Sequence, residues 1–190
     1  MGKGYGKNKG AERAATSKSD LTEKALADDL SDAKVGAIDR SGGSSAYTEA
    51  QVSELLYMLE EEKLAGDLYG VFHAQTGATV FRNIAKSEGS HFDALLNQAE
   101  KIGIDTDAFT FLPSGEYVND EIQDLYDSLL EQGSASKTAA LEVGVLIEET
   151  DILDLAAAAA SVEGTSLESV YERLLAGSNT HLDAFEAVLG

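Results

Sequence analysis

The fold is decided by two similar phrases about ninety residues apart, Glu88-Gly-Ser-His91-Phe-Asp-Ala-Leu95 and Ser178-Asn-Thr-His181-Leu-Asp-Ala-Phe185. In each phrase a histidine is followed by an apolar residue, Asp, Ala and a second apolar residue. The chain has only three histidines, so two of them occupy the same position in this repeat. A repeat centred on histidines indicates a binding site built from two related halves.

An acidic phrase precedes each histidine at a similar distance. The two phrases are Met58-Leu-Glu60-Glu61-Glu62-Lys-Leu-Ala65 and Val145-Leu-Ile-Glu148-Glu149-Thr-Asp151-Ile152. Each half is therefore predicted to be a carboxylate-bearing helix followed by a histidine-bearing helix. Two such hairpins make an antiparallel four-helix bundle with a metal centre in its core, the arrangement of the di-iron carboxylate proteins. We predict an all-α fold in which a crossover with a short extra helix joins the hairpins.

Capping and turn residues predict the helix boundaries. A capping box, Thr48-Glu-Ala-Gln51, opens the first helix, and a second one, Thr165-Ser-Leu-Glu168, opens the last, which has a weak point at Gly177. Between them we predict long helices over about 79–102 and 136–162, and a short helix over 120–131 that Asn119 caps. Residues 103–118, with the single proline, form the long connection.

Helical spacing places some of the acids on apolar faces. Glu62 shares a stripe with Leu55, Met58, Leu59, Ala65, Tyr69 and His73. Glu88 and His91 lie one turn apart and could bind the same or adjacent metal ions, although this spacing alone is a weak signal. Burying several carboxylates requires a compensating cation, and metal ions are the simplest one.

Other residues near these phrases have simpler interpretations. Each acidic run covers more than one helix face, so Glu60, Glu61 and Glu149 could be ordinary solvated positions. The choices between Glu61 and Glu62, and between Glu148 and Glu149, stay open at this point. His73 is eleven residues from Glu62, about 16 Å along a helix axis, so we interpret it as a cap or an end-of-core residue.

Composition and charge limit the classes of function. The chain has no cysteine, which excludes disulfides, iron–sulfur clusters and zinc–thiolate sites, so any metal is held by oxygen and imidazole. Residues 48–190 contain 6 Lys or Arg against 27 Asp or Glu, which argues against a nucleic-acid partner. We interpret this acidity as a source of solubility rather than as an electric field that concentrates metal cations near their site.

The N-terminal segment differs from the rest of the chain. Residues 1–47 are rich in Gly, Ser, Lys and Ala, and we predict a flexible polar tail followed by a bundle over 48–190. No apolar run approaches the roughly 20 residues that span a bilayer. The segment Met1–Gly10 is basic but lacks the apolar stretch of a secretory signal. We expect no membrane partner and, by default, a cytoplasmic protein, although secretion through an already removed signal would leave the same pattern.

At these residues the chain resembles the ferritin-like superfamily, and rubrerythrin in particular. The first metal helix of rubrerythrin has Glu, then Ala three and Tyr seven residues later, as do Glu62, Ala65 and Tyr69 here. Its second helix has E-x-x-H and its third E-x-x-E, which the pairs Glu88 with His91 and Glu148 with Asp151 match, the latter with a shorter acid. Its fourth helix has E-x-x-H, and here His181 is kept while Ser178 replaces the carboxylate.

The chain looks most like the family known as domain of unknown function 2202, a member of the ferritin-like group, over about Thr48 to Gly190. The phrases that match are Glu60-Glu-Glu-Lys-Leu-Ala65, Phe81-Arg-Asn-Ile-Ala85, Ser87-Glu-x-x-His91, Ile147-Glu-Glu-x-Asp-Ile152 and Gly177-Ser-x-x-His181. The resemblance implies a ligand set in which Glu88 and Glu148 bridge two metal ions while Glu62, His91, Asp151 and His181 are terminal.

Three functions follow from this resemblance. The first is a non-haem di-iron or iron–manganese protein, with two ions per chain, that reacts with O2 or peroxide or oxidises Fe(II). The second is a bundle with a degenerate metal site that acts as a structural or interaction module, which Ser178 favours. The third, ranked below these, is iron storage. Catalytic residues are not assigned, and association into a homo-oligomer is left open.

Overall fold

Within residues 47–190, which the computed structural model describes, the chain is helical and contains no β-strand. The prediction of a polar tail over 1–47 concerns residues that, except for Tyr47, lie outside this range. The prediction of an all-α bundle is confirmed for the described residues. No helix in this range is both long and apolar enough to cross a membrane.

The four long helices begin and end close to the predicted positions. The helices are α1 (Glu49–Thr76), α2 (Thr79–Lys101), α3 (Asp107–Thr110), α4 (Asp120–Gly133), α5 (Lys137–Ser161) and α6 (Glu168–Leu189). The single turn α3 inside the long connection was not predicted, and α6 begins two residues later than its capping box implied. Gly177 does not interrupt α6.

The predicted helix ends have the expected hydrogen bonds. At the start of α1, the Gln51 amide donates to Thr48 Oγ1 at 3.2 Å and the Thr48 amide donates to Gln51 Oε1 at 2.9 Å. Gly77 ends this helix in the left-handed region, with φ of 68°, and its amide donates to the His73 carbonyl at 2.8 Å. A residue with a side chain is strained at this φ, so glycine favours the tight reversal that folds α2 back along α1.

Pairwise packing of the long helices creates the interior. Helix α1 packs on α2 and α5 packs on α6, while α1 also contacts α5 and α2 contacts α6. The shorter α4 lies against α5 and α1. Two apolar clusters fill the interior; on α1 one contains Leu55, Met58 and Leu59, and the other contains Leu64, Leu68 and Phe72.

A polar layer separates the two apolar clusters on every long helix. On α2, for example, one cluster contains Ile84 and the other Leu95, with Glu88 and His91 between them. The buried polar residues between the clusters are Glu62 on α1, Glu88 on α2, Glu148 and Asp151 on α5, and Ser178 and His181 on α6. The fold therefore encloses carboxylates and imidazoles between apolar walls.

The interpretation of Glu60 as a solvated residue is wrong. Its side chain is only 3% exposed, and its carboxylate accepts hydrogen bonds from the amides of Val118 at 2.5 Å and Asn119 at 3.1 Å. These amides lie where the long connection enters α4. Glu60 is buried because it joins this connection to α1, whereas Glu149 is exposed as expected.

Candidate metal centre

All six predicted ligands lie in or beside the polar layer, and their burial is nearly complete. Glu62, Glu88 and Glu148 are each 2% exposed, and Asp151 and His181 are also buried. His91 is partly buried. Among the described residues, the ion-pair partners of the three glutamates are the two histidines rather than lysine or arginine.

Glu88 lies between the two histidines and presents one carboxylate oxygen to each. Its Oε2 is 2.8 Å from His91 Nδ1, and its Oε1 is 2.8 Å from His181 Nδ1. The two imidazole rings are 5.4 Å apart between centroids and inclined by 26°. Glu88 therefore belongs to two sets of ligands at once.

Each set contains two carboxylates and one imidazole. Glu62, Glu88 and His91 form the first group, and Glu88, Glu148 and His181 form the second, with the ligand atoms of each group within 4.8 Å of one another. His91 Nδ1 lies 3.1 Å from Glu62 Oε2, and His181 Nδ1 lies 3.5 Å from Glu148 Oε2. Neighbouring ligand atoms around an octahedral ion with bonds of about 2.1 Å are about 3 Å apart, so this spacing fits two metal positions.

Several atoms of the layer are buried without a hydrogen-bond partner. They include Glu62 Oε1, Glu88 Oε1, Asp151 Oδ1 and His181 Nδ1. Glu88 Oε1 and His181 Nδ1 are close to each other, but their contact lacks the alignment of a hydrogen bond. Unpaired buried acceptors are costly, and a metal ion would satisfy them together.

Asp151 is in the layer but outside the two groups. Ser178 is fully buried, and its Oγ lies within hydrogen-bonding distance of both Asp151 Oδ2 and, at 3.0 Å, the Leu174 carbonyl. A hydroxyl has one proton, so both contacts are satisfied together only when protonated Asp151 donates to Ser178. Burial raises the pKa of Asp151 to about 7, which is consistent with this arrangement.

Burial and neighbouring charges shift the pKa values of the ligands in different directions. Burial, with added repulsion from Asp151 and Glu88, raises the pKa of Glu62 well above its ordinary range. Burial also raises the pKa of Glu88, but the two imidazoles outweigh it and lower that pKa to about 2. Burial lowers the pKa of His181, yet Glu148 and Glu88 raise it to about 9. Without metal the layer holds protons, which a metal ion would displace.

One further residue, Tyr69, supports a ligand from outside the two groups, and the third histidine lies away from them. Tyr69 is fully buried and donates from its hydroxyl to Glu148 Oε1 at 2.7 Å, which fixes the orientation of this carboxylate. This contact agrees with the position of Tyr69 on the same helix face as Glu62. The third histidine, His73, lies at the end of α1 with Nδ1 3.0 Å from the Ala78 carbonyl, in agreement with its interpretation as a cap.

Sequence reasoning missed the role of Gly177. A Cβ atom at this position would lie 2.7 Å from His91 Nε2 and 2.8 Å from its Cε1, so the ring of His91 occupies the space that a side chain on α6 would need. Gly177 directly precedes the repeated phrase, which begins at Ser178. A glycine inside a predicted helix was the signal in the sequence that could have indicated this close contact.

These features define a helical protein whose core encloses a layer of carboxylates and histidines, with two groups that could each hold a metal ion. The chain belongs to the family described as uncharacterized protein domain DUF2202, which matches residues 51–190. It is 37% identical over 142 residues to the uncharacterized protein MJ0754 of Methanocaldococcus jannaschii, covering 75% of this chain and 76% of that protein. The crystal structure of hypothetical protein MJ0754 superposes with a TM-score of 0.73 at 36% identity, over 78% of this chain and 85% of that one.

Proposed function

We propose that this protein is a non-haem dinuclear metal protein of the ferritin-like type that binds two irons, or iron and manganese, and reacts with O2 or peroxide or oxidises Fe(II). The observation that carries this proposal is the position of Glu88, with one oxygen 2.8 Å from each histidine. A carboxylate shared in this way is suited to bridge two ions.

The described residues have separable roles in this proposal. Glu62 and His91 would hold one ion, Glu148 and His181 would hold the other, and Glu88 would contact both. The hydroxyl of Tyr69 orients Glu148, and the apolar clusters on both sides of the layer limit access of water. Bound iron would supply the electrons for reduction of O2 or peroxide, which none of these side chains supplies alone.

The order of the helices supports the ferritin-like assignment. The pairs α1 with α2 and α5 with α6 each contribute carboxylates from the first helix and a histidine from the second. The long connection, with α4, links the two pairs, as in bundles that have one crossover. Each hairpin thus contributes at least one carboxylate and one histidine, as the hairpins of ferritin-like dinuclear sites do.

Metal analysis of the whole chain tests the proposal. The protein should be produced under iron-replete conditions and purified without a metal-binding tag, and we expect about two metal ions per chain, one for each ligand group. Glu88→Ala should lose most of this metal because it removes a ligand from both groups. The matched control is Glu149→Ala, which removes an exposed acid next to Glu148 and should retain the metal.

The competing function is a metal-free structural or interaction module. Its support is Ser178, which stands where the resemblance expects a carboxylate and is already hydrogen-bonded to Asp151. Equal metal content in Glu88→Ala and Glu149→Ala would contradict the dinuclear centre. A wild-type chain that binds no iron or manganese would favour the module.

A further inference from the structure

A cavity of about 280 Å³ lies between α1 and α2 and reaches the polar layer from one side. Glu62 and Glu88, two ligands of the first group, line it. Both are 2% exposed, and Oε1 of each is buried without a hydrogen-bond partner. The cavity thus ends at two carboxyl groups that each have one oxygen without a hydrogen bond.

Small residues keep this cavity open. Gly66 on α1 and both Ala85 and Gly89 on α2 line its walls, and Gly89 is exposed. A Cβ atom added at Gly89 would meet nothing within 4 Å, and one added at Gly66 would first meet Glu88 Cβ at 3.4 Å. Glycine lowers helix stability by about 1 kcal/mol relative to alanine. Packing against Glu88 explains Gly66, whereas the open space beside Gly89 is explained better by access to the cavity.

The charges around the cavity favour a cation over an anion. Lys63 is the basic residue in its wall, but its Nζ is held 2.6 Å from Asp67 Oδ2 and 2.8 Å from the Pro113 carbonyl. Asp67 therefore offsets this charge, and the inner end presents the carboxyl groups of Glu62 and Glu88. Carboxylate oxygens are ligands for divalent cations, and a bound cation would displace the protons that the layer holds without metal.

We propose that this cavity is the route by which a hydrated divalent cation reaches the group of Glu62, Glu88 and His91. This route rests on the proposed metal function, and it specifies the side of the bundle from which the metal ion enters. The second group lies beyond the first and shares Glu88 with it, so it would be filled through the same route.

The test is the rate of Co²⁺ uptake by the full-length protein after its metal is removed, followed by stopped-flow absorbance. The double variant Gly66→Ala/Gly89→Leu adds side chains to both walls at positions where Cβ atoms fit. Gly70→Leu is the matched control because Gly70 is exposed on α1 one turn further, has open space at its Cβ position and does not line the cavity. We expect the double variant to take up Co²⁺ about tenfold more slowly than the wild type, at unchanged final stoichiometry and at a melting temperature that is kept or raised.

The possible results separate this inference from the proposed function. A double variant that loads as fast as Gly70→Leu would overturn the access route while leaving the metal centre intact. A wild-type chain that binds no Co²⁺ would overturn the metal centre itself and, with it, the route. Slower uptake in the double variant alone, with the final stoichiometry kept, would support both.

Discussion

Gly177 shows how one missing side chain makes room for an imidazole in the polar layer. The imidazole of His91 fills the space beside this glycine, with Nε2 2.7 Å from the position that a Cβ atom would take. Helix α6 continues through the glycine, so its role is close packing rather than a break in the helix. The cost of glycine in this helix is explained by the room it leaves for a ligand.

Replacing Gly177 by alanine should therefore move His91 rather than unfold the bundle. Alanine favours the helix by about 1 kcal/mol, and the end of the imidazole is the part that can give way. We expect Gly177→Ala to keep or raise the melting temperature while binding of metal to the first group weakens. Isothermal titration with Co²⁺ measures this, and Gly70→Ala is the control. Unchanged affinity in Gly177→Ala would contradict the position assigned to His91.

At the scale of helices and connections, Glu60 and Asp67 attach the long connection to α1. Asp67 Oδ2 accepts from Lys63 Nζ, from the Gly115 amide at 2.9 Å and from the Tyr117 hydroxyl at 3.1 Å. Glu60 accepts from two further amides of the same connection. Two acids on one helix thus organise a segment with little regular structure of its own.

Glu60→Ala should destabilise the protein without emptying the proposed metal centre. It leaves the amides of Val118 and Asn119 without their acceptor, at a cost of about 1–3 kcal/mol for each buried group that stays unpaired. We expect a lower free energy of unfolding in urea and unchanged metal stoichiometry. Glu142→Ala, which removes an exposed acid from α5, is the control and should have little effect. Loss of metal in Glu60→Ala would mean that the connection also supports the centre.

The sequence predicted the helices better than it predicted the contacts of the connection. Thr48 and Asn119 act through local hydrogen bonds, so their positions alone located the starts of two helices. Glu62 could be placed on the core face because its apolar neighbours repeat at helical spacing. The partners of Glu60 are nearly sixty residues away, and the contact of Gly177 with His91 joins two helices, so neither leaves a periodic signal.

For the whole molecule, the buried layer links stability to pH in the metal-free protein. The folded state raises the pKa of Asp151 to about 7 and that of His181 to about 9, and it also raises the pKa of Glu62. A group whose pKa is higher in the folded state stabilises folding below its unfolded pKa, and this stability is lost as pH rises through the folded pKa. The pKa of Glu88 is lowered instead, and the resulting change in stability falls at pH values below its ordinary pKa of 4.5.

The melting temperature of the metal-free protein should therefore fall as the pH rises from 5 to 9. Asp151 acts over the lower part of this interval, up to about pH 7, and His181 acts over the upper part, up to about pH 9. Metal binding requires deprotonated carboxylates and neutral imidazoles, so added Co²⁺ should raise the melting temperature more at pH 8 than at pH 5. Scanning calorimetry with and without Co²⁺ measures both trends. Asp151→Asn is the internal control, because an amide does not titrate and should flatten the metal-free curve below pH 7. A metal-free protein whose melting temperature rises across this interval would show that protons do not compensate the buried acids.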